Sequence, residues 1–394
     1  MSKRVLQLGG GVLMSRSIQK IKELGYEVYC VDMNPNAPAF AFADGHAAVN
    51  ISDVEGVGKY ADEIGADVVL ALNDAGVLPA VYANRKRGLK CYEPEQVKYF
   101  TDKGHMRERW KEFGVAQPQF HVCTNAEEIT KAIHAIGFPC IVKPCMMWGS
   151  RGVSKVNNEN DIAFATQFAM ENARGARYIV EEFMSGTEVS IEGLFKDGKA
   201  YILAKADKEL QQHENYRVTI QINYEAALPD AILQEIDALV AKAGKAMGFE
   251  SGALHAECMV TPEGVKMIEM AGRPGGGHIF GAIVESVSGV SMPQALTQIL
   301  LGEEIDPTAK HSRGACYKFF NAPDGIFESV DNLDHASRME GIVDIGFTMA
   351  EGTVVRTMDH GANRPGYIVS EGINRAEAIS RAEAAFAALK FNMR

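Results

Sequence analysis

Two glutamates face each other across a hairpin that the sequence predicts between Leu254 and Arg273. Glu257 and Glu269 each lie in a short run that alternates like a β-strand, and the TPEG between the two runs is typical of a turn. Carboxylates held side by side repel each other unless a cation lies between them, and Mg²⁺ prefers such hard oxygen ligands together with substrate phosphates. The pair therefore predicts a magnesium–nucleotide site, although two solvated glutamates on an exposed hairpin would give the same pattern.

A lysine and a glycine-containing loop lie upstream of this hairpin. Lys143 ends the compact apolar run FPCIVKP, and the segment WGSRGV follows at residues 148–153. Lysine supplies a point charge, and glycine lets backbone N–H groups approach a phosphate closely. The GxxxxGK[ST] pattern of a Walker A loop does not occur in the chain. The region predicts a phosphate site of another kind.

A strand that ends in carboxylates comes next, in the run YIVEEFMSGTEVSIEG. Glu181 and Glu182 end one predicted strand, and Glu188 begins another. Main-chain groups of such a strand can meet a purine base, while a nearby carboxylate accepts hydrogen bonds from ribose hydroxyls. Each of these features is weak when it is taken alone.

In their order along the chain, the motifs resemble the ATP-grasp superfamily, and its carboxylate–amine ligases in particular. The resemblance runs from about Val5 to Phe391 and rests on VKP, GSRGV, VEEF and IEMAGRPGGG. It implies an α/β chain with the ATP-grasp fold, an N-terminal Rossmann-like domain and a small α+β lid. It also implies ATP and Mg²⁺ as cofactors, with Mn²⁺ as an alternative ion.

The resemblance gives each motif residue a role. Those implied to bind the nucleotide are Lys103 and Lys143 at the phosphates, Ser150 and Gly152 in the glycine loop, Glu181, Glu182 and Phe183 at adenine, and Glu188 at the ribose. Glu257 and Glu269 would hold magnesium, and Arg273 would contact the transferring phosphoryl group. Many members carry an asparagine two residues after the second glutamate, where this chain has Ala271. A water or a phosphate oxygen would have to replace that ligand.

Two further runs, RPGGGHI and RPGYIVSEG, are most similar to the L-amino acid ligase branch. Biotin carboxylases and purine-pathway members match less well in their substrate loops. The branch implies a ligase that joins a small carboxylic acid, such as an amino acid, to an amine through an acyl phosphate and releases ADP and phosphate. Both substrates would be small molecules, and the sequence leaves their identity open. His278 is either a catalytic group that contacts substrate or a structural, hydrogen-bonded histidine.

Two other classes of protein fit parts of the sequence. A strand, the cluster GGGVLMS and an acid about twenty residues later outline a dinucleotide site, yet Met14 stands where GxGxxG has its third glycine. A regulatory protein that binds ATP without turnover would not need both metal glutamates, Lys143 and Arg273. We therefore favour the ligase over an NAD-type dehydrogenase and over a non-catalytic ATP-binding protein.

Composition argues against several partners. A formal charge of −11 does not favour a polyanion, so we expect no nucleic acid partner. No stretch reaches the roughly 18 apolar residues that cross a bilayer, and the N-terminus lacks the apolar core of a signal peptide. Seven cysteines without a CxxC pattern indicate reduced thiols. We expect a cytoplasmic protein with no membrane partner, and a homodimer is one assembly that the sequence leaves open.

Helical and strand periodicities divide the chain into three parts. Residues 1–100 alternate strand and helix in a pattern that predicts a parallel sheet. Residues 101–205 hold linker helices and the strand-rich lid, and residues 206–394 complete the Mg-ATP cleft. From the residues alone, Lys103 is equally well a solvated helix charge. Asp74, just past a strand end, either binds a substrate ammonium or caps a helix.

Overall fold

A computed structural model describes residues 2–147, 151–212, 217–320, 324–355 and 364–394. Ser150, which the sequence predicts in the glycine loop, lies outside the described residues. Within the described ranges the chain forms four β-sheets, with helices packed against them. The mixed α/β architecture agrees with the predicted fold class.

The N-terminal sheet is parallel, as the alternating pattern predicts. Its strands are β1 (Arg4–Leu8), β2 (Glu27–Asp32), β3 (Gly45–Ala48) and β4 (Val68–Ala71), in the spatial order β3-β2-β1-β4. The helices α1 (Ser15–Lys22), α2 (Val54–Glu63) and α3 (Asp74–Lys86) connect the strands or follow them. Apolar side chains of β1, β2 and β4 are almost fully buried, because helices cover both faces of such a sheet.

Two helices lead from this domain to the lid. They are α4 (Val97–Thr101) and α5 (Lys103–Glu112). Asp102 caps α5, since its side chain accepts a hydrogen bond of 2.9 Å from the His105 backbone N–H. Trp110 of α5 is fully buried in the main core, so the helix that carries Lys103 is fixed by packing on its inner side.

The lid sheet is antiparallel and has its own core. Its strands are β5 (Phe120–Cys123), β6 (Cys140–Pro144), β7 (Ser154–Val156) and β8 (Tyr178–Glu182), in the order β5-β8-β6-β7. The helices α6 (Ala126–Ile136) and α7 (Ile162–Glu171) pack on it. Lys143 lies on β6 beside the strand of Glu181, because Ile141 pairs with Glu181 and Lys143 pairs with Ile179.

The largest sheet of the described residues is antiparallel and has eight strands. In spatial order these are β13 (Gly264–Ala271), β12 (Gly252–Thr261), β9 (Thr187–Lys196), β10 (Lys199–Gln212), β11 (Arg217–Tyr224), β14 (Gly314–Phe319), β18 (Gly366–Gly372) and β16 (Ile342–Phe347). The helices α8 (Asp230–Ala246), α9 (Val284–Ser288), α10 (Met292–Leu300) and α12 (Arg375–Ala388) pack against it.

A small three-stranded sheet completes the C-terminal region. It is the sheet β17-β15-β19, formed by β15 (Gly325–Asp331), β17 (Val354–Val355) and β19 (Lys390–Met393), with α11 (Leu333–Ser337) nearby. The lid sheet ends with β8, and the predicted boundary at residue 205 falls inside β10. The division into domains at residues 100 and 205 stays a prediction.

The register of the large sheet collects polar side chains on one face. Glu257 pairs with Glu269 of β13 and with Ser190 of β9, and His255 pairs with Glu192. Side chains two residues apart on a strand point to the same face, so these groups lie together. The sheet thus brings residues from three strands, β9, β12 and β13, onto one surface.

Among the described residues, no single helix combines the length and the apolar character that crossing a bilayer requires. One pair of helices, Ile279–Ser288 and Met292–Leu300, reaches them only together and is bent by 101° at the break. All seven cysteines are buried and unpaired.

Candidate active site

The two predicted metal glutamates lie directly opposite each other on β12 and β13. Glu257 and Glu269 are cross-strand partners, and the register shifts immediately after Glu257. Their side chains are only 18% and 28% exposed, so the hairpin does not hold them out in solvent. The predicted hairpin is therefore present, and it presents two carboxylates at the spacing of paired strands.

Two ammonium groups balance this carboxylate pair. Lys208 of β10 contacts both Glu257 and Glu188, the latter at 2.7 Å. Lys103 of α5 lies 3.1 Å from Glu269 and donates to the Met147 carbonyl at 2.8 Å. Burial opposes ionisation of both glutamates, yet Lys208 lowers the pKa of Glu257 and Lys103 lowers the pKa of Glu269. Both carboxyls are therefore anionic.

The donor set suits a hard divalent cation. The two ionised carboxylates project from paired strand positions, and the charge of Glu257 works against ionisation of Glu269. Ala271 is buried on β13 and offers no ligand. No group of three or more metal-ligating side chains occurs among the residues that the structure describes. Glu257 and Glu269 fit Mg²⁺ if substrate phosphate or water supplies the remaining oxygens.

Lys143 lies in a buried ion cluster with Glu181 and Arg107. The Lys143 ammonium is 2.6 Å from one Glu181 oxygen, and the Arg107 Nε donates to the other oxygen at 2.8 Å. Burial opposes the charge on Glu181, but Arg107 and Lys143 lower its pKa to about 2. Burial, with Arg107 and Lys103 nearby, lowers the pKa of Lys143. Arg107 also donates to the Ile268 carbonyl at 2.6 Å, so the cluster joins the lid to β13.

The other predicted nucleotide residues lie around the end of β8. Glu182 accepts from the Lys266 ammonium at 3.0 Å, and the ammonium of Lys155 lies 4.3 Å from the centre of the Phe183 ring. Gly152 has a φ of +71°, and a Cβ there would come within 2.9 Å of side-chain atoms of Pro144. The backbone at Gly152 therefore lies tightly against the end of β6. Adenine binding by this edge stays a prediction.

Arg273 follows β13 and crosses to the N-terminal domain. Its guanidinium donates to Asp74 at 2.9 Å and to the Pro274 carbonyl at 2.9 Å. Asn73, rather than Asp74, caps α3 by accepting from the Gly76 N–H at 3.1 Å. Burial disfavours the charge on Arg273, but Asp74 raises its pKa overall. Asp74 thus lies beside Arg273, just past the end of β4, which is the strand end that the sequence predicts.

A second acid–base pair involves His255, which lies two residues before Glu257 on β12. His255 Nδ1 is 2.6 Å from Glu192, and its Nε2 is 3.5 Å from Glu257. The other Glu192 oxygen accepts from the Gly275 N–H at 3.0 Å. A Cβ at Gly275 would lie 2.5 Å from a Glu192 oxygen, so only glycine allows this approach. Burial would lower the pKa of His255, but Glu192 raises it to about 9.

His278 follows Gly275 by three residues and packs against aromatic side chains. Its Nε2 is 3.1 Å from Asp344, close enough for an ion pair although it is not aligned for a hydrogen bond. The rings of Tyr367 and Tyr317 lie 4.8 Å and 5.9 Å from the His278 ring. The geometry supports the structural role that the sequence left open, and the catalytic role stays a prediction.

Sequence reasoning missed Lys208, Arg107 and the pair of Glu192 and His255. Lys208 lies in a polar run near the end of β10, and nothing local marks it as buried. Arg107 lies on a charged helix where it resembles its solvated neighbours. The sequence does carry a signal for His255, because it is two residues before Glu257 and its side chain must point to the same face of the strand.

Two known families match parts of this chain. A family described as ATP-grasp domain matches residues 136–281, which include Lys143, Glu257 and Arg273. A second family, L-amino acid ligase C-terminal domain 2, matches residues 318–394. A formate-dependent phosphoribosylglycinamide formyltransferase of Flavobacterium psychrophilum is 26% identical over 276 residues, covering 69% of this chain and 70% of the relative.

Solved structures show the same fold over the whole chain. An L-amino acid ligase from Bacillus licheniformis has a TM-score of 0.85 at 20% identity and covers 100% of this chain and 99% of that one. A phosphoribosylglycinamide synthetase from Anaerococcus prevotii has a TM-score of 0.77 at 19% identity, with both chains fully covered.

The ATP-grasp domain around the paired carboxylates and the domain that follows it define the class. The chain carries an ATP-grasp domain at residues 136–281 and an L-amino acid ligase C-terminal domain at residues 318–394, as the ATP-dependent carboxylate–amine ligases that it resembles do. These matches support the ATP-dependent ligase, and they support neither the dehydrogenase nor the non-catalytic ATP-binding protein. Enzymes of this superfamily use ATP, generally with Mg²⁺.

Replacing Lys208 with methionine is expected to destabilise the protein by about 3 to 5 kcal/mol, because it leaves two buried carboxylates without their shared cation. Chemical denaturation of the nucleotide-free protein measures the loss. Lys205→Met is the matched control: Lys205 lies on the same strand and pairs with Asp237, which is 40% exposed. The control is expected to cost at most about 1 kcal/mol. Equal losses for the two variants would contradict the role of Lys208.

Proposed function

We propose that this ligase converts the carboxylate of an amino acid, or of a similar small acid, into an acyl phosphate and transfers the acyl group to an amine. The observation that carries the proposal is the array of fixed charges on one sheet face: Glu257 and Glu269 with Lys208, Lys103 and Arg273 around them. The match of the C-terminal residues to an L-amino acid ligase domain favours amino acids as the substrate class.

The chemistry explains why such an array is needed. A carboxylate is a poor acyl donor, because its leaving group would be oxide. One carboxylate oxygen attacks the γ-phosphorus, the bond from that phosphorus to the bridging oxygen breaks, and ADP leaves. The amine nitrogen then attacks the acyl carbon, phosphate departs, and the amine loses its proton. Negative charge gathers on the phosphoryl group in the first step and on the carbonyl oxygen in the second.

The position of each residue determines its proposed role in this reaction. Lys143 and Lys103 supply fixed positive charge for the phosphates from the lid side and the α5 side. Glu257 and Glu269 would hold Mg²⁺, which supplies charge neutralisation between the phosphates when it is bound. Arg273, at the end of β13, contacts the transferring phosphoryl group and the developing oxyanion. The lid loop that contains Gly152 excludes water from the hydrolysable intermediate.

Asp74 gives the donor a second point of attachment. It is an acid at the carboxyl end of the N-terminal sheet, paired with Arg273 at 2.9 Å. An amino acid donor carries an ammonium next to its carboxylate. With the ammonium on Asp74 and the carboxylate near Arg273, the reacting group would face the phosphates. This arrangement favours an amino acid donor over a simple acid.

Hydroxylamine tests the proposed reaction without knowledge of the acceptor. The enzyme with ATP, Mg²⁺, a pool of amino acids and hydroxylamine is expected to form a hydroxamate together with ADP, because hydroxylamine captures an acyl phosphate. Iron-complex absorbance and nucleotide chromatography measure the two products. A reaction without the amino acid pool is the control. Formation of AMP and pyrophosphate would show an adenylate and overturn the proposal.

The substitution Arg273→Lys tests the role of the arginine. Arg273→Lys is expected to bind ATP within a few-fold of wild type but to lose about 100-fold in kcat, since an ammonium cannot bridge phosphoryl and carbonyl oxygens as the planar guanidinium does. Isothermal titration and single-turnover rates on one preparation measure both. Arg313→Lys, at an exposed position, is the control. Lost ATP affinity with an unchanged saturating rate would make Arg273 a ground-state contact.

A further inference from the structure

Glu181 is the shared anion of two buried cations. The Lys143 ammonium lies 2.6 Å from one Glu181 oxygen, and the Arg107 Nε donates to the other oxygen at 2.8 Å. All three side chains are almost completely buried. Among the described residues, Glu181 is the only carboxylate within ion-pair distance of either cation. The cluster therefore sets two positive charges against one negative charge.

This excess of positive charge calls for an anion from outside the cluster. Burial, with Arg107 and Lys103 nearby, lowers the pKa of Lys143. Lys208, on the large sheet, has the opposite arrangement, because one ammonium is shared by two carboxylates. A charge that is removed from water is costly unless a partner neutralises it. A phosphate group would supply the negative charge that the cluster lacks.

The two cations differ in how firmly they are held. The Arg107 guanidinium also donates from a terminal nitrogen to the Ile268 carbonyl at 2.6 Å, and it lies 5.3 Å from the centre of the Trp110 ring. Trp110 is fully buried in the main core, which fixes the helix that carries Arg107. The Lys143 ammonium is carried by a flexible four-carbon stem. Lys143 can therefore turn toward a ligand while Arg107 stays on Glu181.

The helix α5 ties Arg107 to the predicted phosphate site. Arg107 follows Lys103 by four residues, so the two side chains lie on one face of the helix. The Lys103 ammonium is 3.1 Å from Glu269, and the Lys103 backbone N–H donates to the Cys145 carbonyl at 3.0 Å. Cys145 is two residues after Lys143 in the chain. The start of α5 and the end of β6 are thus joined beside both phosphate lysines.

We propose that Arg107 is a positioning residue, which holds Glu181 so that Lys143 is free to bind the phosphates of ATP. The inference rests on the proposed function, in which Lys143 contacts those phosphates. Without Arg107, the departure of Lys143 would leave a buried carboxylate with no cation, which is strongly unfavourable. With Arg107 present, Glu181 keeps one ion pair throughout, and a phosphate takes its place as the partner of Lys143.

The substitution Arg107→Met tests the inference. It leaves Lys143 and Glu181 as a neutral pair, so no buried charge is left alone. Glu181 then retains Lys143, and the affinity for ATP is expected to fall about 10- to 100-fold. Adenosine has no phosphates, so its affinity is expected to stay within about 3-fold of wild type. Isothermal titration with ATP and equilibrium dialysis with labelled adenosine give the ratio of the two affinities.

A second substitution separates this role from packing. In Arg107→Met combined with Glu181→Gln, the competing anion is gone and Lys143 is free again. The ratio of ATP to adenosine affinity is therefore expected to return to within about 3-fold of wild type. Packing lost at Arg107 would not be repaired by a change at Glu181. Arg109→Met is the matched control on α5: Arg109 is 30% exposed, donates to the Ala246 carbonyl at 2.8 Å, and is expected to leave the ratio unchanged.

The substitution Lys143→Met separates this inference from its foundation. It is expected to lower the ratio of ATP to adenosine affinity at least as much as Arg107→Met does. Wild-type ATP affinity in Lys143→Met would overturn the phosphate role of Lys143, and this inference with it. A loss in Lys143→Met together with an unchanged ratio in Arg107→Met would overturn the role of Arg107 alone. Failure of the double variant to recover the ratio would do the same.

Discussion

The repulsion between Glu257 and Glu269 is the constraint around which the rest of the site is organised. The β12–β13 hairpin makes them cross-strand partners, so two negative charges are held a few ångströms apart in a largely buried place. Such a pair is stable only with cations beside it. The hairpin itself contributes His255, whose Nε2 lies 3.5 Å from Glu257, and the lysines that contact the pair come from other elements. Lys208 comes from β10 and Lys103 from α5, so three elements must converge before the pair can exist.

The need to place cations beside buried carboxylates also links the lid to the large sheet. Glu181 of the lid is shared between Lys143 and Arg107, and Arg107 reaches the Ile268 carbonyl next to Glu269. The cluster is buried, so the loss of one member would leave an uncompensated charge. The phosphate lysine therefore keeps its position relative to the metal glutamates through a continuous chain of contacts. On the other side, Arg273 and Asp74 tie the end of β13 to the N-terminal domain.

The sequence could predict what is local. The glutamate hairpin, the parallel N-terminal sheet and the strand that ends at Lys143 follow from alternation, turn residues and apolar runs. Asn73 and Asp74 illustrate the limit: the pattern located the strand end but not which residue caps the helix. Lys208 lies 20 and 49 positions from Glu188 and Glu257, and only the sheet order brings the three together.

The central claim is that the enzyme activates an acid as an acyl phosphate. The transfer of an oxygen atom from the acid to the released phosphate tests this claim most directly. A donor amino acid labelled with ¹⁸O in its carboxylate is supplied with ATP, Mg²⁺ and an amine, and the released phosphate is examined by ³¹P NMR. If the acid attacks the γ-phosphorus, one labelled oxygen stays with the phosphate, and the intensity of its isotope-shifted resonance grows in proportion to the amide formed. Unlabelled phosphate alongside amide, or label found in AMP, would show that the acid is not activated as an acyl phosphate on this surface.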